Sequence, residues 1–213
     1  MFYLAKTPSW LIKLYGGGVW RLLNSEKIIY LTFDDGPHPE ITRFVLSELD
    51  KYQAKATFFC IGKNVSLYPE VYKDILERGH AVGNHTYHHL NGWKTGTADY
   101  VTDVLHARQY IHSALFRPPY GRSTRRQRET LSKLAEPFHE IMWTVLSGDF
   151  DKRISPQKCY KNVVNNVVDG SIVVFHDSEK AYERLRYSLP KVLEYFANQG
   201  YQFHKISTEI IEK

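Results

Sequence analysis

Apolar residues in this chain fall into two alternating kinds of run, short dense ones and longer amphipathic ones, and that alternation limits the folds open to it. Residues 28–33 are mostly β-branched or aromatic and stop at Asp-Asp-Gly-Pro, which reads as a buried strand. Residues 40–51 then carry Ile41, Phe44, Val45, Leu46 and Leu49 at helical spacing. The pattern repeats, with strands expected at 56–61, 81–83, 115–116, 141–146, 171–175 and 201–206. Helices are expected at 69–78, 97–113, 123–134, 156–168 and 179–198, the last broken or kinked near Pro190. About seven strands alternating with helices, with no repeat and no linker, imply a parallel sheet with helices outside. We therefore expect an α/β fold, a distorted (β/α)7 TIM-like barrel over residues 27–213, with a short N-terminal cover segment over 1–26. In such barrels chemistry gathers at the C-terminal ends of the strands.

Length and composition fit that reading. A chain of 213 residues holds one well-buried domain, and 43% hydrophobic with 24% charged residues is ordinary for a globular enzyme. The net charge of +5 is mild, and Lys and Arg are scattered rather than gathered on a stripe, so no nucleic-acid partner is expected. The denser run Arg122, Arg125, Arg126 and Arg128 reads as a solvated helix face able to attract an anionic substrate. Cys60 and Cys159 lack C-x-x-C spacing and read as free thiols.

The N-terminus shows no clear secretory signal, because Lys6, Lys13, Arg21 and Gly16-Gly17-Gly18 interrupt its apolar residues. A cytoplasmic or inner-membrane-surface location is expected over secretion. Trp10, Leu11, Ile12, Leu14, Tyr15, Val19, Trp20 and Leu22 suit a segment packed on the barrel. They also suit peripheral membrane contact through residues 1–24.

The residues able to do chemistry fall at the ends of the expected strands. Asp34 and Asp35 follow the first strand, His85 the third, Arg117 the fourth, Asp149 the fifth and His176 the sixth, so all share one face of the barrel. Adjacent carboxylates repel each other unless a cation or donors compensate. His85 and His89 are spaced i and i+4, which in a helical turn puts both imidazoles on one side; His88, at i+3, is an alternative. Two His and one carboxylate leave positions for water and substrate, an arrangement suited to hydrolysis with Zn2+, or with Co2+ or Ni2+. His176 closes the apolar run Ile172-Val173-Val174-Phe175 and is followed by Asp177.

With those residues in place, the chain resembles the polysaccharide deacetylases of carbohydrate esterase family four, the NodB homology domain. The resemblance runs from about residue 27 to 206, through Thr-Phe-Asp-Asp-Gly at 32–36, His-Thr-Tyr-His-His at 85–89 and Arg-Pro-Pro-Tyr-Gly at 117–121. Two less regular motifs follow, around Asp149 and His176. It implies that Asp35, His85 and His89 hold the metal and that Asp34 is the general base toward the attacking water. It implies that Arg117 pairs with Asp34, and that the Tyr120 backbone N–H, presented by Pro118 and Pro119, stabilises the oxyanion. His176 would be the general acid and Asp149 its orienting carboxylate. Two departures stand out. The fourth motif reads Val-Leu-Ser-Gly-Asp-Phe at 145–150 where relatives often carry a second Asp and a Trp, leaving Asp151 as an alternative to Asp149. Val174 stands where Leu is usual.

The resemblance spans chitin oligomers, peptidoglycan, acetylxylan, lipid-linked sugars and some non-sugar amides. Within it, the expected reaction is removal of N-acetyl groups from an N-acetylated carbohydrate, with a small or lipid-linked amino sugar favoured. A catalytically idle glycan- or lipid-binding domain on the same fold is the alternative. Retention of Asp34 and His176 weighs against it, since binding alone needs neither a base nor an acid. Oligomeric state is not expressed in the sequence.

Overall fold

The computed structural model describes residues 3–22 and 27–211. Its strands are β1 (Ile28–Asp34), β2 (Thr57–Cys60), β3 (Ala81–Asn84), β4 (Leu115–Phe116), β5 (His139–Glu140), β6 (Val145–Leu146), β7 (Ile172–His176) and β8 (Gln202–Phe203). They form one curled sheet in the order β5-β4-β3-β2-β1-β7-β6, with β8 on the start of β1 and all these pairings parallel. The helices are α1 (Ser9–Tyr15), α2 (Ile41–Asp50), α3 (Gly62–Leu67), α4 (Pro69–Glu77), α5 (Thr97–Arg108), α6 (Arg125–Ser132), α7 (Pro156–Val164), α8 (Tyr182–Ala197) and α9 (Thr208–Ile211). This is the expected distorted (β/α)7 barrel.

Strand parity positions the site. Successive side chains on a strand point to opposite faces. On β1, Ile29, Leu31 and Phe33 face the helices in the main core, whereas Ile28 and Tyr30 belong to a second cluster inside the barrel with Phe59, Leu115, Ile141 and Ile172. Continuing the inward parity leads from Ile28 and Tyr30 to Asp34 on β1, from Leu115 to Arg117 after β4, and from Ile172 to His176 on β7. Three of the expected site residues thus reach the barrel mouth on the interior face. A one-residue slip in register would send all of a strand's side chains to the wrong side.

The expected strand at 141–146 is instead reduced to β6, and β5 forms just before it at His139–Glu140. β5 pairs with β4 at one sheet edge and β6 with β7 at the other, so the chain crosses from edge to edge between them. Ile141 N–H still donates to the Phe116 carbonyl (2.8 Å), and three residues later Thr144 N–H donates to Ile172 (3.1 Å). The carbonyls turned inward at this seam are met by Arg117, whose Nε donates to Ile141 O at 2.9 Å and Nη2 to Met142 O at 3.1 Å. An apolar run cannot reveal such a seam, because its residues are buried whichever edge they join.

The N-terminal segment pairs with both edges of the seam. Lys6 bridges antiparallel to Val145, Leu146 N–H donates to Ala5 O (2.9 Å) and Thr7 N–H to Thr144 O (2.9 Å). Val19 bridges parallel to Ile141, its N–H donating to Glu140 O and its carbonyl accepting from Met142 N–H, both at 2.8 Å. Trp20 and Leu22 are buried, while Trp10 and Leu14 remain 62% and 75% exposed. The parts of this segment at 1–2 and 23–26 lie outside the described residues. Among the described residues no helix is long and apolar enough to cross a membrane.

Other boundaries differ from expectation for local reasons. α8 runs unbroken through Pro190. A mid-helix proline costs about 3 kcal/mol, but Leu185, Leu189, Val192, Leu193 and Phe196 are all buried on this helix, each worth about 1.5–3 kcal/mol. Packing wins. α5 and α7 end earlier than their patterns suggest, at Arg108 and Val164, and the last strand shrinks to Gln202–Phe203. The short helix α3 was not foreseen, its sequence Gly-Lys-Asn-Val-Ser-Leu being too short to show a period.

Candidate active site

At the mouth, Asp35, His85 and His89 bring one ligand atom each to within 4.8 Å of one another, the only such trio among the described residues. Asp35 Oδ1 lies 3.6 Å from His85 Nε2 and 3.1 Å from His89 Nε2. The His85 tautomer follows from its other nitrogen. Nδ1 sits 2.7 Å from the Arg117 carbonyl oxygen, which can only accept, so Nδ1 carries the proton and Nε2 presents a lone pair toward Asp35. Burial lowers the His85 pKa to about 4 against the pull of Asp34, keeping the ring neutral as a ligand requires. Burial alone would raise Asp35. The hydrogen bond from His89, with the charges of His176, His85 and His89, more than offsets it and holds Asp35 well below the usual carboxylate range.

The histidines are not on a helical turn. Thr86 and His89 have positive φ (62° and 58°), and the loop folds back so that the two rings approach to 5.1 Å between centroids. Side chains outcompete the helix for its backbone. Asp103 on α5 accepts from Tyr87 N–H (2.9 Å) and His88 N–H (3.0 Å), and Asn84 Oδ1 accepts from Thr86 N–H (2.9 Å). Asp103 also takes the His88 ring at 2.6 Å, which turns that histidine away from Asp35 and separates it from the other two.

α3 ties the two ligand-bearing loops together. Ile61 N–H donates to Gly36 O, Gly62 N–H to Thr86 O, and Asn64 Nδ2 to Asp35 O, each at 2.8–2.9 Å. A side chain at Gly62 would collide with the Tyr87 ring and Ala107. Asn64, Asn84 and Asp103 are positioning residues that the motif reading missed. Only Asp103 left a trace in the sequence, as a carboxylate at a core-facing position of an amphipathic helix.

Beside the trio, Arg117 is fully buried, with four of its five side-chain N–H groups bonded. Its Nη1 donates to Asp34 Oδ1 (2.7 Å) and Thr32 Oγ1 (2.7 Å), and its guanidinium lies 4.0 Å over the Phe59 ring. After it, Pro118 leads into a tight turn formed by Pro119, Tyr120 and Gly121, with Tyr120 at φ 61°. The Tyr120 ring rests 4.7 Å from His89.

Across the mouth stands His176. Asp149, wholly buried, gives one oxygen to its ring (Nδ1, 2.7 Å) and the other to its backbone N–H (2.7 Å). Burial would lower the His176 pKa, but Asp149 foremost, then Asp35 and Asp34, raise it to about 9. Asp151, the alternative, is instead taken up by Arg153 in a two-pronged pair. A carboxylate pinned by a guanidinium and an imidazolium backed by a carboxylate thus flank one three-donor site.

The sequence matches the family model described as polysaccharide deacetylase over residues 23–137. A curated relative, the peptidoglycan-N-acetylglucosamine deacetylase of Bacillus cereus, is 34% identical over 88% of this chain and 90% of its own. Among solved structures, the Bc1960 peptidoglycan N-acetylglucosamine deacetylase superposes with a TM-score of 0.81 at 26% identity, covering 94% of this chain and 95% of that one. A family-four pseudoenzyme from Bacillus anthracis, BA3943, superposes at 0.78 with 25% identity, over 91% of this chain and 68% of its own. Family resemblance therefore does not by itself imply activity, and the site residues must carry that argument. The match to the family model over more than half of the chain and the 34% identity across 88% of it place the chain in the polysaccharide deacetylase family.

Proposed function

We propose that this chain is a divalent-metal-dependent N-deacetylase of a glycan containing N-acetylglucosamine, releasing acetate and a free amine. The observation that carries the reading is the placement of two differently tuned proton carriers, Arg117-paired Asp34 and Asp149-backed His176, around the Asp35–His85–His89 trio. Groups whose surroundings push their proton affinities apart divide acid and base work between them.

The residues fit a metal. His85 has its tautomer fixed with a free Nε2, Asp35 is strongly disposed to be ionised, and two His with one carboxylate is a donor set suited to Zn2+, with Co2+ or Ni2+ also accommodated. A divalent ion held there supplies Lewis acidity toward the acetyl carbonyl and the attacking water. Asp34 takes the proton from that water, with Arg117 fixing one of its oxygens. The Tyr120 backbone N–H, on the turn set by Pro118 and Pro119, donates to the developing oxyanion. His176, charged at neutral pH, delivers its Nε2 proton to the departing nitrogen while Asp149 holds Nδ1. The glucosamine substrate class is supported by the names of the relatives, and a lipid-linked amino sugar is a narrower form of it.

The test is acetate release from chitooligosaccharides and peptidoglycan fragments by zinc-loaded protein, with Asp34→Asn and chelator-treated controls. Removing the base should lower the rate by about 10²–10⁴-fold, and chelation should abolish it. Release that survives both treatments would refute the mechanism. No release from any substrate would move the chain toward the idle binding domain.

A further inference from the structure

The N-terminal segment does more than cover the seam. Its antiparallel pairing with β6 through Ala5, Lys6 and Thr7 points the chain straight at the loop that follows β6. There the Tyr3 ring packs on Phe150, centroids 5.1 Å apart, and Phe150 in turn meets the His176 ring edge-on at 5.2 Å. Gly148 has φ 78°, and a side chain there would strike the Tyr3 hydroxyl, so the Tyr3 phenol lies directly against this loop. Burial and then Asp151 push the Tyr3 hydroxyl up to about 12, which leaves it protonated and able to donate to Asp151. The loop backbone is also anchored from the helices, by Asn162 Nδ2 on Ser147 O (2.9 Å) and Arg184 Nε on Asp149 O (2.6 Å). The Phe150 ring meets two other rings, Tyr3 and His176, and the Lys180 ammonium lies 5.7 Å from its centroid.

We infer that Tyr3 is a positioning residue for the acid side of the reaction, holding Phe150 against His176 so that the imidazole keeps its rotation while Asp149 grips Nδ1. This rests on the deacetylase reading above. Asp149 fixes one ring nitrogen but leaves the ring free to tilt about that bond. The Phe150 edge, backed by Tyr3, removes this freedom and aims Nε2 at the leaving nitrogen. Small misplacements of a proton donor cost rate disproportionately.

A leaving group that needs no proton separates this role from general damage. Tyr3→Ala and Tyr3→Phe should be compared with the wild type on a chitooligosaccharide amide and on 4-nitrophenyl acetate. Tyr3→Ala should lower kcat on the amide about tenfold with KM little changed, and alter ester hydrolysis by no more than about twofold. Tyr3→Phe, which keeps the ring, should stay within about twofold on both. Proton NMR of the imidazole supplies a readout independent of turnover. The carbon-bound ring protons of His176, which face the Phe150 ring, should shift and broaden in Tyr3→Ala and stay in place in Tyr3→Phe. Equal loss on amide and ester, or unchanged His176 ring resonances in Tyr3→Ala, would overturn the inference. If the wild type turns over neither substrate, the deacetylase reading fails and the ring resonances alone decide whether Tyr3 holds Phe150 against His176.

Discussion

The Asp149–His176 pair gives the protein a pH signature that can be read without substrate. In the folded chain the His176 pKa stands near 9 against an ordinary value of 6.5, despite the opposing effect of burial. A group whose pKa is raised by folding adds stability below its unfolded pKa and loses it as pH climbs through the folded value. The window therefore runs from about 6.5 to 9. The difference, 9 − 6.5 = 2.5 units, at 1.36 kcal/mol per unit corresponds to about 3 kcal/mol. Asp149→Asn keeps the shape and an acceptor oxygen for Nδ1 but removes the charge that does most to raise the His176 pKa. Urea unfolding of chelator-treated protein between pH 6 and 10 should show the wild type losing about 3 kcal/mol across the window and the variant losing far less. Asp177, raised to about 7 chiefly by burial, contributes its own loss at lower pH in both proteins and cancels in the comparison. Parallel stability curves for wild type and Asp149→Asn between pH 7 and 9 would refute the reasoning, since Asp35 and Asp34 raise the His176 pKa less than Asp149 does.

Further outcomes follow from the same contacts. Arg117→Met strands the Asp34 carboxylate and two seam carbonyls and should cost about 3–5 kcal/mol in denaturant unfolding, with part recovered by adding Asp34→Asn; strict additivity in that cycle would show that the pair is not coupled. His85→Ala should reduce zinc binding, measured by titration calorimetry, while His88→Ala, whose ring faces Asp103, should leave it within about threefold. Trp10 and Leu14 are exposed beside Lys6 and Lys13, so the expected membrane contact can be checked by sedimentation with anionic vesicles; unchanged binding after Trp10→Ala and Leu14→Ala would place any contact elsewhere.

The Asp35–His85–His89 trio shows how far a motif can be read. Asp35, His85 and His89 were legible as residue types at telling spacings, yet the helical turn inferred from i, i+4 spacing is not what joins them. Asp103 and Asn84 capture the backbone of that loop instead, and nothing local to residues 85–89 signals a partner on a later helix. The seam between β5 and β6 was hidden for a similar reason. Ile141, Met142, Val145 and Leu146 are all buried, and burial does not say which sheet edge each half of the run joins. Tyr3 lay outside every motif, and only the antiparallel pairing of the N-terminal segment brings it to Phe150.

What the sequence determined by itself was the alternation of buried strands and amphipathic helices, the order of the strand ends, and the chemistry those ends carry, because periodicity and residue type are local properties. What only the tertiary structure decided was the facing. Parallel strands buried on both sides lose the polar–apolar alternation that would mark inside from outside, so the inward parity of Asp34, Arg117 and His176 came from register against neighbouring strands. Ring closure across the seam, with the N-terminal segment paired to both of its edges, then brought these residues and Tyr3 to one mouth.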